Sequence, residues 1–376
     1  MRSASFITAV VTSFLIFLAA SGQCWAKMVI ARSNDHFLSG SSLPALAITI
    51  AQGAEIVHLN LALSADNQVI ILSDTVINEI TNAAELFPDK VRQDGSYLVM
   101  DFTLEELQQL SLVNSPQVTS STETPRADIT PLPQIRIATL SDALNLIKTM
   151  QNNLGRRIEI VGEIKKSWQY RHENRDISKA VIDTCRQHGY ATRDSGLYIA
   201  SYDPEELQRI HDELFAEAGV DLKIFQLIEE NSGKETQHFE LGRWLNYNYD
   251  WLYTKFGLKA VSAYADMISL SHDFLISNTG DLLHQEYVED AHILGLKIIV
   301  NPVDQVADEL PDFATSFESF LELCLFTAGT DGLITERDVF MREFMENQLP
   351  DNSSGKKNKT TIELLLENVK RQQQNN

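Results

Sequence analysis

The stretch Val57-His58-Leu59-Asn60-Leu61, followed after Asp66-Asn67 by Val69-Ile70-Ile71-Leu72-Ser73-Asp74, predicts a β-hairpin, because two apolar strand-like runs flank a turn signal. A two-residue turn at Asp66-Asn67 would place Asn60 opposite Ser73 and His58 opposite Thr75, so that two polar pairs share one face. Polar pairs within an apolar hairpin resemble an active site whose reactive groups have been substituted.

Outward from this hairpin, β-rich runs alternate with segments of helical periodicity, which predicts parallel strands joined by helical crossovers. About 350 mature residues suit a single α/β domain, a TIM-like (β/α)8 barrel. There are nine strand candidates for eight barrel positions, and the returning strand of the hairpin accounts for the surplus. The predicted strands are 28–31, 55–63, 68–72, 157–163, 197–202, 222–228, 267–270, 296–300 and 332–335, and the predicted helices are 43–52, 142–151, 178–187, 204–218, 289–294 and 316–326.

Residues 1–26 have the pattern of a signal peptide. Arg2 precedes an apolar run over 6–20, and Cys24-Trp25-Ala26 supplies small residues around a cleavage point. We therefore expect the mature chain to begin near Lys27 and to be periplasmic or secreted, with a lipid anchor on Cys24 as the alternative. No later segment is apolar enough for a membrane span.

The composition is strongly acidic, with 31 Lys and Arg against 52 Asp and Glu and a formal net charge of -21. Such a surface repels nucleic acid and anionic lipid, although a local basic pocket can still bind an anion. Removal of the leader leaves Cys185 and Cys324, which lack metal-ligand spacing and lie in apolar helical patterns. Buried, inert thiols are the favoured interpretation, and a disulfide is the alternative.

Three regions depart from the alternation. An insertion at about 78–137 carries a possible short helix at 104–110, and 229–254 carries an aromatic cluster that either lines a pocket or, as we favour, packs against the barrel. The tail over 350–376 is polar and is expected to be flexible, with a possible short amphipathic helix at 361–369.

Several short motifs resemble those of the glycerophosphodiester phosphodiesterase family, over nearly the whole mature length, with the barrel spanning 27–349. The resemblance rests on Gly162-Glu163-Ile164-Lys165, on Phe87-Pro88-Asp89-Lys90 followed by Asp101-Phe102-Thr103-Leu104, and on Asn246-Tyr247-Asn248-Tyr249-Asp250-Trp251. The insert and the aromatic motif are similar to those of the periplasmic branch of this family, whose members are large exported bacterial proteins.

The resemblance implies metal-dependent hydrolysis of glycerophosphodiesters, with calcium or magnesium held by acids, an Arg and a Lys at the phosphate, and two catalytic histidines. Arg32 matches the expected Arg, but Ala31 replaces the His before it and Ser33 the Gly after it. Ser73 stands at the second catalytic His position, next to a retained Asp74. Neither expected catalytic imidazole is therefore present.

The expected metal acids are also replaced. His58 and Asn60 stand at the paired acids of the hairpin, and the loop before Leu43 reads Gly40-Ser41-Ser42 where an acid is expected. With Glu163 alone retained, a calcium or magnesium ion would lack most of its oxygen ligands. A zinc ion at His58 and Glu163, with His36 as a base, is the alternative.

The leading hypothesis is an exported barrel of impaired activity that binds a phosphodiester or glycerol phosphate at Arg32 and Lys165, with Asp74, Trp168 and Tyr249 supporting the pocket. Alternatively, these two cations only pair with Glu163 and Asp74. A rival hypothesis is an active phosphodiesterase with a rearranged metal site. A third is a scaffold whose insert or tail contacts an unknown protein partner.

Overall fold

Eight parallel strands close into a barrel in the computed structural model, which describes residues 27–32, 42–112, 136–301, 303–304 and 310–348. The barrel strands follow one another in chain order, and closure comes from β1, which pairs with both β2 and β11. All nine predicted strands are present, so the predicted barrel with one extra strand is confirmed. The strands are β1 Met28–Arg32, β2 Ile56–Leu63, β3 Val69–Ile71, β4 Glu159–Ile164, β5 Leu197–Ser201, β6 Lys223–Gln226, β7 Gln237–Glu240, β8 Arg243–Asn246, β9 Met267–Leu270, β10 Lys297–Val300 and β11 Gly332–Thr335.

Helices alternate with the strands, and their apolar faces pack with the strands in one large core. The two predicted helices over 204–218 and 316–326 each contain a π-helical turn, at Ile210–Leu214 and Leu323–Thr327. The α-helices are Leu43–Ala51, Ala83–Leu86, Leu104–Leu107, Leu140–Leu154, Ser167–His172, Ile177–Gln187, Pro204–Arg209, Phe215–Ala218, Lys255–Val261, His272–Leu275, Gln285–Ile293, Phe317–Glu322 and Asp338–Gln348.

The second strand of the hairpin, β3, extends the barrel, whereas its first strand, β2, forms part of the wall. β2 has 8 residues, and the last three of them pair with antiparallel β3. The Leu72 N–H donates to Asn60 O (3.1 Å), and the Lys165 N–H donates to Leu61 O (3.1 Å). Because consecutive carbonyls point to opposite edges of a strand, β3 lies on the edge of β2 away from β4.

The predicted hairpin register is wrong by one residue. Leu61 faces Ile71 in the structure, so Asn60 comes opposite Leu72 rather than Ser73, and His58 faces Arg32 of β1 rather than Thr75. The cause is a three-residue loop with Asn67 in the left-handed region at φ 59°, rather than a two-residue turn.

The insertion has a small apolar core of its own. Ile70 and Leu72 of the hairpin pack there with Phe102 and Leu107 of the insertion, so residues 78–112 cover one side of the hairpin. The rest of the predicted insertion up to 135 lies outside the described residues, as do His36, the predicted leader and the predicted tail helix.

A second antiparallel hairpin, formed by β7 and β8, follows β6 and was not predicted. Its strands are short, and the sequence there was interpreted only as an aromatic cluster. No helix in the described part of the chain combines the length and apolar character that a bilayer crossing requires.

Candidate functional site

Polar and charged side chains meet inside the barrel at the carboxyl ends of its strands, the end where barrel enzymes place their sites. Asn60 of β2 is the direct register partner of Glu163 of β4, and His58 lies two residues earlier on the same face of β2. Lys165 follows two residues after Glu163. The structure therefore brings together the four residues that the sequence singled out on these two strands.

Lys165 is held between two carboxylates. Its Nζ donates to Glu163 Oε1 (2.9 Å) and to Glu235 Oε1 (2.7 Å), and its side chain is only 10% exposed. Burial alone would lower the pKa of Lys165, but the two carboxylates outweigh burial and hold that pKa well above its usual range. The ammonium is therefore charged and already has two negative partners.

Glu163 and His58 form a buried contact beside this ammonium. Burial would raise the pKa of Glu163, but Lys165 and His58 hold it well below its usual range. Burial lowers the pKa of His58, and the nearby carboxylate of Glu163 does not compensate. A neutral imidazole thus lies against an ionised carboxylate, with Nε2 2.9 Å from Glu163 Oε2 but not aligned for a hydrogen bond.

Arg32 completes the cationic part of the site. It ends β1, opposite His58 in the β1–β2 register, and its charge acts on both His58 and Glu163. Within the described residues no carboxylate forms an ion pair with Arg32. Among the described side chains, Arg32 thus differs from Lys165, which contacts two carboxylates.

Asp74 pairs with neither Arg32 nor Lys165, so the alternative prediction that these two cations pair with Glu163 and Asp74 holds only for Lys165 and Glu163. Its Oδ1 accepts from Lys166 Nζ (2.7 Å) and from the backbone N–H groups of Thr75 (2.6 Å) and Val76 (3.2 Å). Lys166 adopts φ 45°, a conformation uncommon for a residue with a side chain, and this directs Lys165 and Lys166 to different partners. Ser73 is half-buried next to Asp74.

This donor set does not fit a divalent metal ion. In the described ranges, no group of three or more His, Cys, Asp and Glu is placed to hold one. Both oxygens of Glu163 already face cationic or imidazole nitrogens, and a hard cation such as calcium needs six to eight oxygen ligands. For zinc, His58 and Glu163 would supply two of four ligands.

The loop between β6 and β7 contributes acids that sequence reasoning missed. Besides binding Lys165, Glu235 donates its N–H to Glu229 Oε2 (3.0 Å) and accepts at its backbone oxygen from Trp168 Nε1 (2.9 Å). Burial raises the pKa of Glu229, although the hydrogen bond from the Glu235 N–H opposes this rise. The signal that could have found these residues is their position just after a barrel strand, where loops of the functional face begin.

Aromatic side chains surround this loop. The Tyr202 ring lies beside Lys165, 5.8 Å from Nζ to the ring centroid, and burial raises the pKa of Tyr202 to about 12. The Trp168 and Trp244 rings are 4.4 Å apart, and Tyr249 is buried with its hydroxyl unpartnered. Trp168 contacts the β6–β7 loop at Glu235, and support of a ligand pocket by Trp168 and Tyr249 stays a prediction.

Comparison with known proteins shows the family. The model of the glycerophosphoryl diester phosphodiesterase family matches residues 32–337. The chain belongs to this family. Among its relatives are glycerophosphodiester phosphodiesterases of Haemophilus influenzae, 28% identical over 322 residues (82% of this chain, 87% of the relative), and Treponema pallidum, 28% identical over 331 residues (85% and 92%).

A similar solved structure is the Oleispira antarctica phosphodiesterase in complex with the product sn-glycerol-3-phosphate, with a TM-score of 0.52 and 17% identity, covering 85% of this chain and 96% of the other. Likeness at this identity shows the shared barrel fold. Members of the family are generally metal-dependent, and the donor set described above departs from that expectation.

Proposed function

We propose that this chain is an exported member of the glycerophosphodiester phosphodiesterase family that binds a phosphodiester or glycerol phosphate and has impaired hydrolytic activity. Export is supported by the signal-peptide pattern of residues 1–26. Amino-terminal sequencing of the secreted or periplasmic protein tests export. The sequence of the mature chain should begin near Lys27. A mature protein that retains residues 1–26 in the cytoplasm would contradict export.

Ligand binding is supported by the two cations at the barrel mouth. Arg32 offers a fork of N–H donors that suits phosphate oxygens, and Lys165, directly after β4, offers a charged ammonium. A phosphate must compete with Glu163 and Glu235 for Lys165, because both carboxylates already contact it. Arg32 is therefore the main anchor and Lys165 the second.

Impaired activity is supported mainly by the buried cluster in which Glu163 contacts both His58 and Lys165. The imidazole is neutral and its side chain is 1% exposed, so it has little access to an attacking water molecule. Loss of a general acid or base costs a factor of about 10²–10⁴ in rate, and here both expected histidines are absent. We therefore expect turnover at least about 10⁴-fold below that of a family member with both histidines.

The decisive experiment is hydrolysis of glycerophosphocholine by the purified protein in calcium, magnesium, manganese or zinc, and in chelator. The expected result is no metal-dependent release of glycerol 3-phosphate above that of the Glu163→Gln variant. Release that depends on metal, approaches the rate of an intact family enzyme and disappears in Glu163→Gln would overturn the impairment.

Binding is tested separately, by calorimetric titration of glycerol 3-phosphate in chelator. We expect saturable binding that is weakened at least about tenfold in Arg32→Ala and less in Lys165→Met, because Lys165 is already neutralised in the free protein. Arg193→Ala is the matched control, since Arg193 pairs with Asp221 and Asp266 away from this cluster. Absence of saturable heat in the unmodified protein would reject the binding function.

A further inference from the structure

The corner formed by Glu235, Thr236 and Tyr249 has three buried polar atoms without a hydrogen-bond partner: Glu235 Oε2, Thr236 Oγ1 and the Tyr249 hydroxyl. Thr236 and Tyr249 are each 1% exposed. The Tyr249 hydroxyl lies within hydrogen-bonding reach of Thr236 and in the field of Glu229 and Glu235, so in the free protein the two hydroxyls have at most each other as partners. Buried polar atoms usually have partners, so this corner, in which Glu235 Oε2 is unpaired, indicates a place for a ligand group.

The charges of the site restrict which ligand fits. Arg32 and Lys165 supply two positive charges, Glu163 and Glu235 supply two negative charges, and His58 is neutral. A phosphodiester that binds the two cations adds a negative charge and leaves Glu235 without its full compensation. A ligand that carries its own positive charge next to the phosphate restores the balance.

The unpaired atoms specify the kind of cation. Glu235 Oε2 is an acceptor, and the Thr236 and Tyr249 hydroxyl oxygens can each accept as well. A primary ammonium has three donors, which matches three acceptors, whereas a quaternary ammonium has none. The Trp168 ring, whose Nε1–H donates to the backbone oxygen of Glu235, adds an aromatic surface next to this residue, and aromatic rings favour a cation.

We propose that this corner is a subsite for a primary ammonium, and that the preferred ligand is a zwitterionic phosphodiester whose phosphate lies at Arg32 and Lys165 and whose amine lies at Glu235. This inference rests on the proposed binding function and names its ligand class. Glu235 exchanges its contact with Lys165 for one with the ammonium of the ligand, so its role is to select the ligand.

The experiment compares three phosphodiesters that share the glycerophosphoryl group: the ethanolamine ester, the choline ester and the glycerol ester, all in chelator. We expect the ethanolamine ester to bind at least about tenfold more tightly than the glycerol ester, and more tightly than the choline ester. In Glu235→Gln the preference for the ethanolamine ester should disappear, and binding of the glycerol ester should be equal or tighter because Lys165 loses a competing carboxylate.

Glu230→Gln is the matched control, because Glu230 is an exposed acid of the same loop whose carboxylate accepts a hydrogen bond from Ser232. It should retain the preference. Melting temperatures of both variants show that each is folded, and Glu235→Asp should keep part of the preference by keeping the charge.

The outcomes separate this subsite from the proposed function. Equal binding of the three esters, tighter binding of the choline ester, or a preference unchanged in Glu235→Gln would reject the ammonium subsite while leaving phosphate binding intact. Failure of every ester and of glycerol 3-phosphate to bind would reject the proposed function, and this inference with it.

Discussion

Lys165 and Lys166 are neighbours in sequence with different surroundings. Lys165 contacts two carboxylates inside the barrel and is 10% exposed, whereas Lys166 pairs with Asp74, whose side chain is 45% exposed. Ion pairs near solvent contribute little to stability, while removal of one partner of a buried pair is costly. The two lysines are therefore a matched pair for a stability experiment.

We expect Lys165→Met to lower the free energy of unfolding by about 3 kcal/mol, because Glu163 and Glu235 would face each other without a cation. Lys166→Met should cost at most about 1 kcal/mol. Urea unfolding of both variants measures the difference. Equal losses would show that Lys165 is no more important to the fold than Lys166, which is itself only 14% exposed but pairs with a half-exposed carboxylate.

His58 makes stability depend on pH in a defined window. Burial lowers its folded-state pKa below the ordinary value of 6.5, so the unfolded chain binds the proton more readily. The contribution of this lowered pKa to the free energy of unfolding is therefore fully present above pH 6.5 and is lost as the pH falls below 6.5. The corresponding effect of Glu163, whose pKa is also lowered, begins only below its ordinary value of 4.5.

The pH prediction uses melting temperatures between pH 5 and 7.5. Between pH 6.5 and 5, the melting temperature of the His58→Gln variant should fall less steeply than that of the unmodified protein. His211→Gln, which removes an exposed imidazole paired with Asp212, should not. An unchanged slope in His58→Gln would mean that His58 is not buried as a neutral group.

At the scale of elements, the end of β2 is fixed by contacts from the helices that follow β4. The Leu63 N–H donates to the Tyr170 hydroxyl (3.0 Å), and Arg175 donates to Met100 O (2.9 Å) and Asn67 Oδ1 (2.8 Å). These contacts attach the projecting hairpin to the barrel. They also keep His58 and Asn60 at the mouth, since both belong to the same strand.

Tyr170→Phe tests this attachment. It leaves the buried N–H of Leu63 without an acceptor, which should lower the free energy of unfolding by about 1–3 kcal/mol. Tyr198→Phe is the control and should cost less, because its hydroxyl only accepts from Lys223 at 3.2 Å. Chemical denaturation of both variants provides the measurement, and equal losses would contradict the proposed attachment.

The strands and helices of the barrel were largely predictable from local patterns. Runs such as Met28–Arg32 and Lys297–Val300 are apolar on both faces because barrel strands are covered inside and outside, and this signal is local. The register of the hairpin was not predictable in the same way. It depends on Asn67 adopting a left-handed conformation, which lengthens the loop by one residue.

At the scale of the whole molecule, both cysteines of the described chain lie in the core and are not joined. Cys185 and Cys324 are each 1% exposed, and burial raises the pKa of each thiol to about 12. The predicted buried thiols are therefore confirmed, and the alternative of a disulfide is wrong. Their reactivity reports on opening of the fold.

We expect the thiols of a chain that begins at Lys27 to react only slowly with a thiol reagent at pH 8. After unfolding in guanidinium, two thiols per chain should react. Rapid labelling of one thiol in the native protein would show that its part of the barrel opens. A protein treated with oxidant before unfolding serves as the control for disulfide formation and should give the same two equivalents.

The sequence by itself determined the barrel, its extra strand, the family and the polar residues that lie at its mouth, because periodicity, strand order and short motifs are properties of neighbours along the chain. Only the tertiary structure decided the pairing of charges. Glu235 lies 70 residues from Lys165 in sequence, yet their side-chain atoms are 2.7 Å apart. Which cation a carboxylate meets, and whether water reaches it, depends on how distant loops pack together, and these contacts decide the ligand that the site can hold.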